Sequence, residues 1–374
     1  MRFLSIEFEL RSPAIITRRR TERGFLSAMD HILASTLRGA LLSAMYRDGV
    51  VDKEFLNEEA SNPRFVSSPA YPIGKEDRSY PCHPFAYECK IPHKGETPDK
   101  DVRFYENYVS EDEVLKRMEE GGEPRYKVRC PEGHLAVKYL HPHPVIPNGK
   151  SLKKVRISAS RSVSVGVSKR RASSRRGLLY EYEAISAGQK FWANLAIPNE
   201  LSVDEGMEFL IGRGVSRGFG LARVVRASEI DVEELVEKAS SAIKGRSIVL
   251  YALSKLLGVE NGGYRPCPTV VDLGTIAKRC GFESDGKLRI ERVYGRVGML
   301  MGGWDMLRNE ERPLFGSAGN QGSIVLSEVE GSKNVERAIA MLGLLGTIEY
   351  ADDMPIVGVN MLFPLRGHPM EGRG

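Results

Sequence analysis

Apolar and polar residues alternate from the first positions of this chain. Phe3, Leu4, Ile6, Phe8 and Leu10 punctuate the run Arg2 to Leu10 as an opening strand would, and Pro13 ends the pattern. Ile32, Leu33, Leu37, Ala40, Leu41, Ala44 and Met45 then recur at helical spacing, with Asp30 placed to cap the helix. A second alternating run covers residues 155–168. There Val155, Ile157, Ala159, Val163, Val165 and Val167 interleave with Arg156, Ser158, Ser160, Ser162, Ser164 and Ser168. The stretch Leu178 to Ile185 can pair back on this run and make a long β-hairpin. Phe191 to Ile197 reads as the next strand. Val203, Met207, Leu210 and Ile211 have the spacing of a helix, and Leu221 to Val225 is β-prone. Strand, helix, strands, helix, strand is the split βαβ order of a ferredoxin-like domain carrying an insertion.

Beyond Ser228 a second unit begins. Residues 232–257 read as helical, 258–263 as a breaker, and Thr269 to Leu273, Lys287 to Val297 and Ser323 to Leu326 as strands. A short helix, Ala338 to Leu344, precedes the last strand-like stretch. The expected fold is therefore α+β, with tandem ferredoxin-like domains. Residues 1–228 form the first, interrupted by an insertion at 61–150 and carrying a basic hairpin at 151–185. Residues 229–374 form the second. The insertion is rich in Pro, His and Tyr and weak in apolar periodicity, except for a short charged helix expected at 111–119.

At 374 residues the chain can fill two cores. It contains no run long enough for a membrane span and no signal peptide, which predicts a cytoplasmic protein. Five cysteines, an odd number, argue against a secreted disulfide framework. The net charge is only +5, but its distribution matters more than its size. Between Gly133 and Tyr180 there is no Asp or Glu, while Lys138, Lys150, Lys153, Lys154, Arg156, Arg161, Lys169, Arg170, Arg171, Arg175 and Arg176 are all basic. The rest of the chain is net negative. Such segregation is the footprint of a polyanion partner, with a plain solvated charge run as the alternative.

The chemistry concentrates in Gly212-Arg213-Gly214-Val215-Ser216-Arg217-Gly218-Phe219-Gly220. Glycines let a ligand approach backbone N–H groups closely, and Arg213, Ser216 and Arg217 add donors, so the stretch reads as a phosphate cradle. A helix before it and a strand after it are the wrong context for a Walker loop or a dinucleotide fingerprint. A plain glycine turn is the alternative. The Thr17 to Gly24 loop adds Arg18, Arg19 and Arg20.

In the insertion, Cys82, Cys89, Cys130 and His134 could hold a structural zinc ion, with His83 and His93 as substitutes. Buried free thiols are the alternative, and Cys267 and Cys280 read as packed. For acid–base catalysis His31 is the first candidate and His141 or His143 the next, with no partner acid evident at a helpful spacing.

With these residues in view, the chain resembles the CRISPR-associated RAMP proteins, and among them the Cas-five-type subunit of type III-D and related class 1 effector complexes. The resemblance rests on Gly212 to Gly220 and on Ser35-Thr36-Leu37-Arg38-Gly39-Ala40. It also rests on Arg161 through Leu178-Leu179-Tyr180-Glu181-Tyr182-Glu183, and on Gly303-Trp304 followed by Ala318-Gly319 and Gly322-Ser323. It implies tandem RRM-like folds, a hairpin thumb, and a non-catalytic subunit capping the repeat-derived 5′ handle of the crRNA. The implied partners are crRNA, target RNA near the 5′ end of the guide, a Cas-seven-type backbone subunit and a Cas-ten-type large subunit or another nuclease. The resemblance places RNA against Ser35, Thr36, Arg38 and the glycine loop, with Tyr180, Phe219 or Trp304 available to stack a base. A cysteine insertion also belongs to the family, here with His134 at the last expected Cys position. The competing reading is a RAMP endoribonuclease that processes precursor crRNA.

Overall fold

A computed structural model describes residues 1–21, 24–91, 104–105, 133–134, 137–148, 151–168, 173–260, 262–300, 303–305, 310–312, 315–351 and 354–371. The first half is built on β1 (Arg2–Leu10), α1 (Ala34–Arg47), α2 (Lys53–Ser61), β2 (Tyr71–Gly74), β3 (Lys190–Ile197) and β4 (Leu221–Glu229). These strands lie in the order β4-β1-β3-β2, with every neighbouring pair antiparallel. That is the sheet order of a ferredoxin-like fold. The alternation in β1 does what its pattern predicts: Ile6, Phe8 and Leu10 are fully buried beneath α1, whose Leu37 and Leu41 meet them in one cluster.

The second half repeats the plan. It comprises α3 (Val232–Ala242), β5 (Ser247–Ala252), α4 (Leu273–Arg279), β6 (Lys287–Tyr294), β7 (Ile324–Glu330), α5 (Val335–Leu345) and β8 (Leu362–Pro364). Its sheet runs β8-β5-β7-β6, with Val270–Asp272 added outside β6. The protein is thus an α+β fold with two sheets of ferredoxin-like order. One large core joins them: Tyr71, Trp192 and Ala196 of the first sheet pack in the same cluster as Leu250, Leu342 and Phe363 of the second. Tyr71 closes the seam by donating its hydroxyl to the Leu253 carbonyl at 2.6 Å.

Three expectations fail. Residues 203–211 are not a helix. Leu201, Val203, Phe209 and Ile211 are buried, and Glu208–Leu210 is a short strand on the edge of β4. The alternation Glu208 out, Phe209 in, Leu210 out has the period of a strand, and these residues pair with Leu221 to Arg223 of β4. The single helix expected over 232–257 is instead α3, a turn at Gly245, and β5, whose sequence Ser-Ile-Val-Leu-Tyr-Ala is rich in strand formers. The stretch read as a breaker is a small hairpin, Gly258–Glu260 with Gly263–Arg265. The helix expected at 111–119 lies outside the described residues. No helix among the described residues is long and apolar enough to cross a membrane.

Two segments that leave the first sheet, one between β1 and α1 and one between β2 and β3, join in a separate four-stranded ribbon. The hairpin Ala159–Ser168 with Ser173–Ile185 pairs onward to Gly24–Ala28, which in turn pairs with Thr17–Thr21. The basic hairpin and the arginine-bearing segment are therefore opposite sides of one sheet.

Candidate RNA-binding site

The glycine loop sits where this ribbon meets the first sheet. Two backbone bridges place it: Ala14 pairs with Ile185 at the foot of the hairpin, and the next residue, Ile15, pairs with Arg213 in the loop. Ile15, Tyr182 and Ala184 form a small apolar cluster against which Phe219 packs. Phe219 thus has a packing role at the hairpin base, where the sequence had offered it as a base-stacking ring.

Because Glu208–Leu210 is a strand, the loop joins strand to strand rather than helix to strand. All four glycines have positive φ, between 76° and 88°. They differ in why. A Cβ on Gly220 would collide with the Ile211 carbonyl oxygen and one on Gly212 with the Ile15 carbonyl oxygen, whereas nothing lies within 4 Å of the position at Gly218. Gly212 and Gly220 are fixed by packing; Gly218 is open to solvent.

Between them Val215–Arg217 makes a 3-10 turn flanked by Gly214 and Gly218. The amides of Arg213, Arg217, Gly218 and Gly220 are used inside the protein, on Ile15, Gly214, Val215 and Pro13 carbonyls. The first amides of the turn, those of Val215 and Ser216, are left without an intrahelical acceptor by the geometry of any helix start. Arg213, Ser216 and Arg217 are exposed beside them. The loop is therefore a smaller cradle than four glycines suggested, and its donors face outward. Arg217 is also held: its Nη1 donates to the Tyr182 hydroxyl at 2.6 Å, and its guanidinium carbon lies 4.6 Å from the centre of the Tyr182 ring.

The remaining candidates are scattered. Arg18, Arg19 and Arg20 lie in Thr17–Thr21, and Arg175 and Arg176 in the second hairpin strand, as backbone positions on the ribbon. Arg161 is exposed on the hairpin, 3.6 Å from Glu181. Lys169, Arg170 and Arg171 lie outside the described residues. Ser35 and Thr36 are half-buried in the first turn of α1.

Arg38 has a structural task. Its guanidinium bonds Phe65 O at 2.7 Å and Glu59 Oε2 at 2.7 Å, and the Glu59 side chain is 2% exposed. The sequence grouped Arg38 with the RNA donors; the fold uses it to neutralise a buried carboxylate.

The cysteine insertion is brought together only in part. Cys89 Sγ lies 3.6 Å from His134 Nδ1. Cys82 is instead embedded in the core that joins the two halves, and burial pushes its thiol far above the ordinary range. His83 is buried with its Nδ1 accepting from Phe85 N. Cys130 and His93 lie outside the described residues, and among the described residues no group of three or more His, Cys, Asp or Glu could hold a metal ion. Cys89 and His134 are a chemically suitable pair for zinc, but two ligands do not make a structural site.

A partner acid that sequence spacing did not reveal stands next to the first catalytic candidate. Asp30 does not cap α1, whose N-cap is Leu33 without a side-chain bond. One Asp30 oxygen bonds His31 Nδ1 and the other His143 Nδ1, each at 2.8 Å. His31 is 5% exposed and faces Gln321 on its other side, at 3.3 Å, whereas His143 is 33% exposed. His141 is buried, with Nδ1 donating to Cys82 O and Nε2 accepting from Arg296 N, and burial lowers its pKa to about 4.

No family model and no curated protein sequence matches this chain. Several solved structures resemble it in shape. A chain of the type III-B Cmr-beta complex bound to cognate target RNA shares 10% identity at a TM-score of 0.46, with 86% of each chain covered. A chain of the Csm3-Csm4 subcomplex of the type III-A CRISPR-Cas interference complex shares 13% identity at 0.36, covering 97% of this chain and 99% of that one. Oligomeric Cmr4 from Pyrococcus furiosus shares 13% at 0.26, covering 62% and 100%. Identities and scores this low transfer no role from those proteins to this one.

Proposed function

We propose that the chain is a non-catalytic RNA-binding subunit of a class 1 CRISPR effector complex. In this reading it holds the 5′ handle of the crRNA, and the hairpin lies against guide or target RNA near that end. One side would rest on a Cas-seven-type backbone subunit, with a Cas-ten-type large subunit or another nuclease nearby. The observation that carries the reading is the convergence at Ala14 and Ile15: an outward-facing glycine loop bearing Arg213, Ser216 and Arg217 is joined there to the foot of a basic hairpin. Single-stranded RNA is held largely through its phosphates, and these groups are phosphate donors.

The test is Arg213→Ala combined with Arg217→Ala. Affinity of the folded protein for a repeat-derived RNA should fall, with only a modest fall in melting temperature from the lost Arg217–Tyr182 contact, and the dependence of log affinity on log salt should flatten by roughly 0.7 for each phosphate no longer held. Unchanged RNA retention would remove the loop from the reading.

The position of Asp30 favours a second reading, an endoribonuclease that processes precursor crRNA. An aspartate bonded to Nδ1 orients an imidazole and leaves Nε2 to move a proton, and His143 is the more accessible of the two histidines that share it. Incubation of the purified protein with repeat RNA tests it. Cleavage lost with His143→Ala would establish the nuclease reading, and intact RNA would leave the binding role standing.

A further inference from the structure

Tyr182 is not among the residues whose type and position suggested RNA contact, yet it joins the two parts of the proposed site. It sits on the hairpin strand opposite Ser162, is 5% exposed, and packs with Ile15 and Ala184. Its ring and hydroxyl both engage Arg217 of the glycine loop. We infer that Tyr182 is a positioning residue that holds the Arg217 guanidinium ready for an RNA phosphate, so that hairpin and loop grip as one unit; this rests on the RNA-binding reading above.

The physical argument concerns entropy and direction. An exposed arginine samples many rotamers, and fixing it on a ligand costs that freedom at the moment of binding. Here the cost is met in folding. One Nη is committed to the phenol, the guanidinium carbon lies 4.6 Å from the ring centre, and Nη2 reaches back toward Gly214, where an added Cβ would stand 3.1 Å from it. A guanidinium has five N–H donors, so one bond to Tyr182 leaves others for a phosphate. The phenol oxygen accepts from Arg217 without competing with the ligand as a carboxylate would. Because Tyr182 belongs to the hairpin strand, displacement of the hairpin by RNA is transmitted to Arg217 through a direct contact.

A double-mutant cycle tests this, using fluorescein-labelled oligouridine as the probe and thermal unfolding to confirm that each variant folds. Tyr182→Phe keeps the ring and removes the hydroxyl, and should weaken binding about threefold; Tyr182→Leu removes both interactions and should weaken it about tenfold. Arg217→Ala should also cost about tenfold, and Tyr182→Leu with Arg217→Ala should be no weaker than Arg217→Ala alone, within about twofold. Independent, multiplying losses would overturn the inference, because they would mean that Tyr182 only fills the space beside Ile15. An Arg217→Ala variant that binds as tightly as the native chain would instead sink the loop reading itself. The Phe variant, which preserves packing, separates lost positioning from lost folding.

Discussion

The two halves share a strand order but not a helix count. In the second half α5 fills the place between β7 and β8, and its residues from Ala338 to Leu345 are all buried. In the first half the equivalent place, between β3 and β4, holds no helix, only the segment that ends in the glycine loop. The difference follows from where α5 packs: it touches β3 of the first sheet as well as β8 of its own, and Trp192 and Ala196 share its core cluster. One helix that is buried all round from Ala338 onward closes both sheets. The first half is thereby released from building a second helix, and its last connection is free to be exposed, glycine-rich and cationic. Completeness in one half permits an exposed cationic loop in the other.

The most severe way to break this comparison is to damage the shared helix. Leu342 is fully buried, and Leu342→Asp would place an unpaired carboxylate in the common core, at an expected cost of about 5 kcal/mol or more. If α5 closes both sheets, near- and far-ultraviolet circular dichroism should show both halves lost together in urea. A folded first half surviving alone would refute the shared closure.

Next in size is Arg38→Ala, which acts in the first half only. It leaves the Glu59 carboxylate, 2% exposed, with the Arg64 and Phe65 amides and the Arg64 guanidinium at 3.8 Å, so the cost should lie at the lower end of the range for truncating one member of a buried pair, about 3 kcal/mol. The expected result is a lower denaturation midpoint with RNA affinity unchanged in the folded fraction. An affinity loss without a stability loss would return Arg38 to the RNA surface.

The seam between the halves supplies a pH test. His141 has a folded pKa of about 4 against about 6.5 for an unfolded histidine, because burial disfavours its charged form. Between those values the unfolded chain binds the proton and the native chain does not. The contribution is therefore complete above pH 6.5 and is lost as the pH falls toward 4, by up to ~3 kcal/mol. Urea midpoints at about pH 7.5 and about pH 4.5 measure it, and His141→Gln should flatten that part of the profile. A midpoint that rises on acidification would contradict the neutral tautomer seen between Cys82 and Arg296.

What the sequence disclosed follows the same division. Period-two and period-3.6 patterns located β1 and α1, which bury one face each, and also the hairpin, β6 and β7, but they merged β5 into the helix before it. They failed at β5, and again at 203–211, where a few apolar residues pack as irregular chain and edge strand and happen to be spaced like a helix turn. The loop was legible as glycines and arginines, but not which glycines were packing requirements. Tyr182, Asp30 and the task of Arg38 were hidden for one reason: their partners, Arg217, His143 and Glu59, are distant in sequence, and only the topology brings them together. Cys82 looked like a metal ligand by spacing, and its environment is the core.

The smallest expected effect separates the two kinds of glycine. Gly218 has φ +88° with open space where a Cβ would go, so Gly218→Ala should cost only the left-handed backbone penalty, about 1 kcal/mol, seen as a modest fall in melting temperature. Gly220→Ala carries the same penalty and adds a collision with a backbone carbonyl that cannot move without pulling Ile211 out of the core, so its loss should be several times larger. The two variants should order oppositely in binding. Folded Gly218→Ala places a methyl on the outward side of the turn, where a phosphate would approach, and should weaken RNA binding measurably; the folded fraction of Gly220→Ala should bind as the native chain does. Equal affinities in both would mean that Gly218 serves the turn alone and that side-chain donors, led by Arg213 and Arg217, hold the RNA.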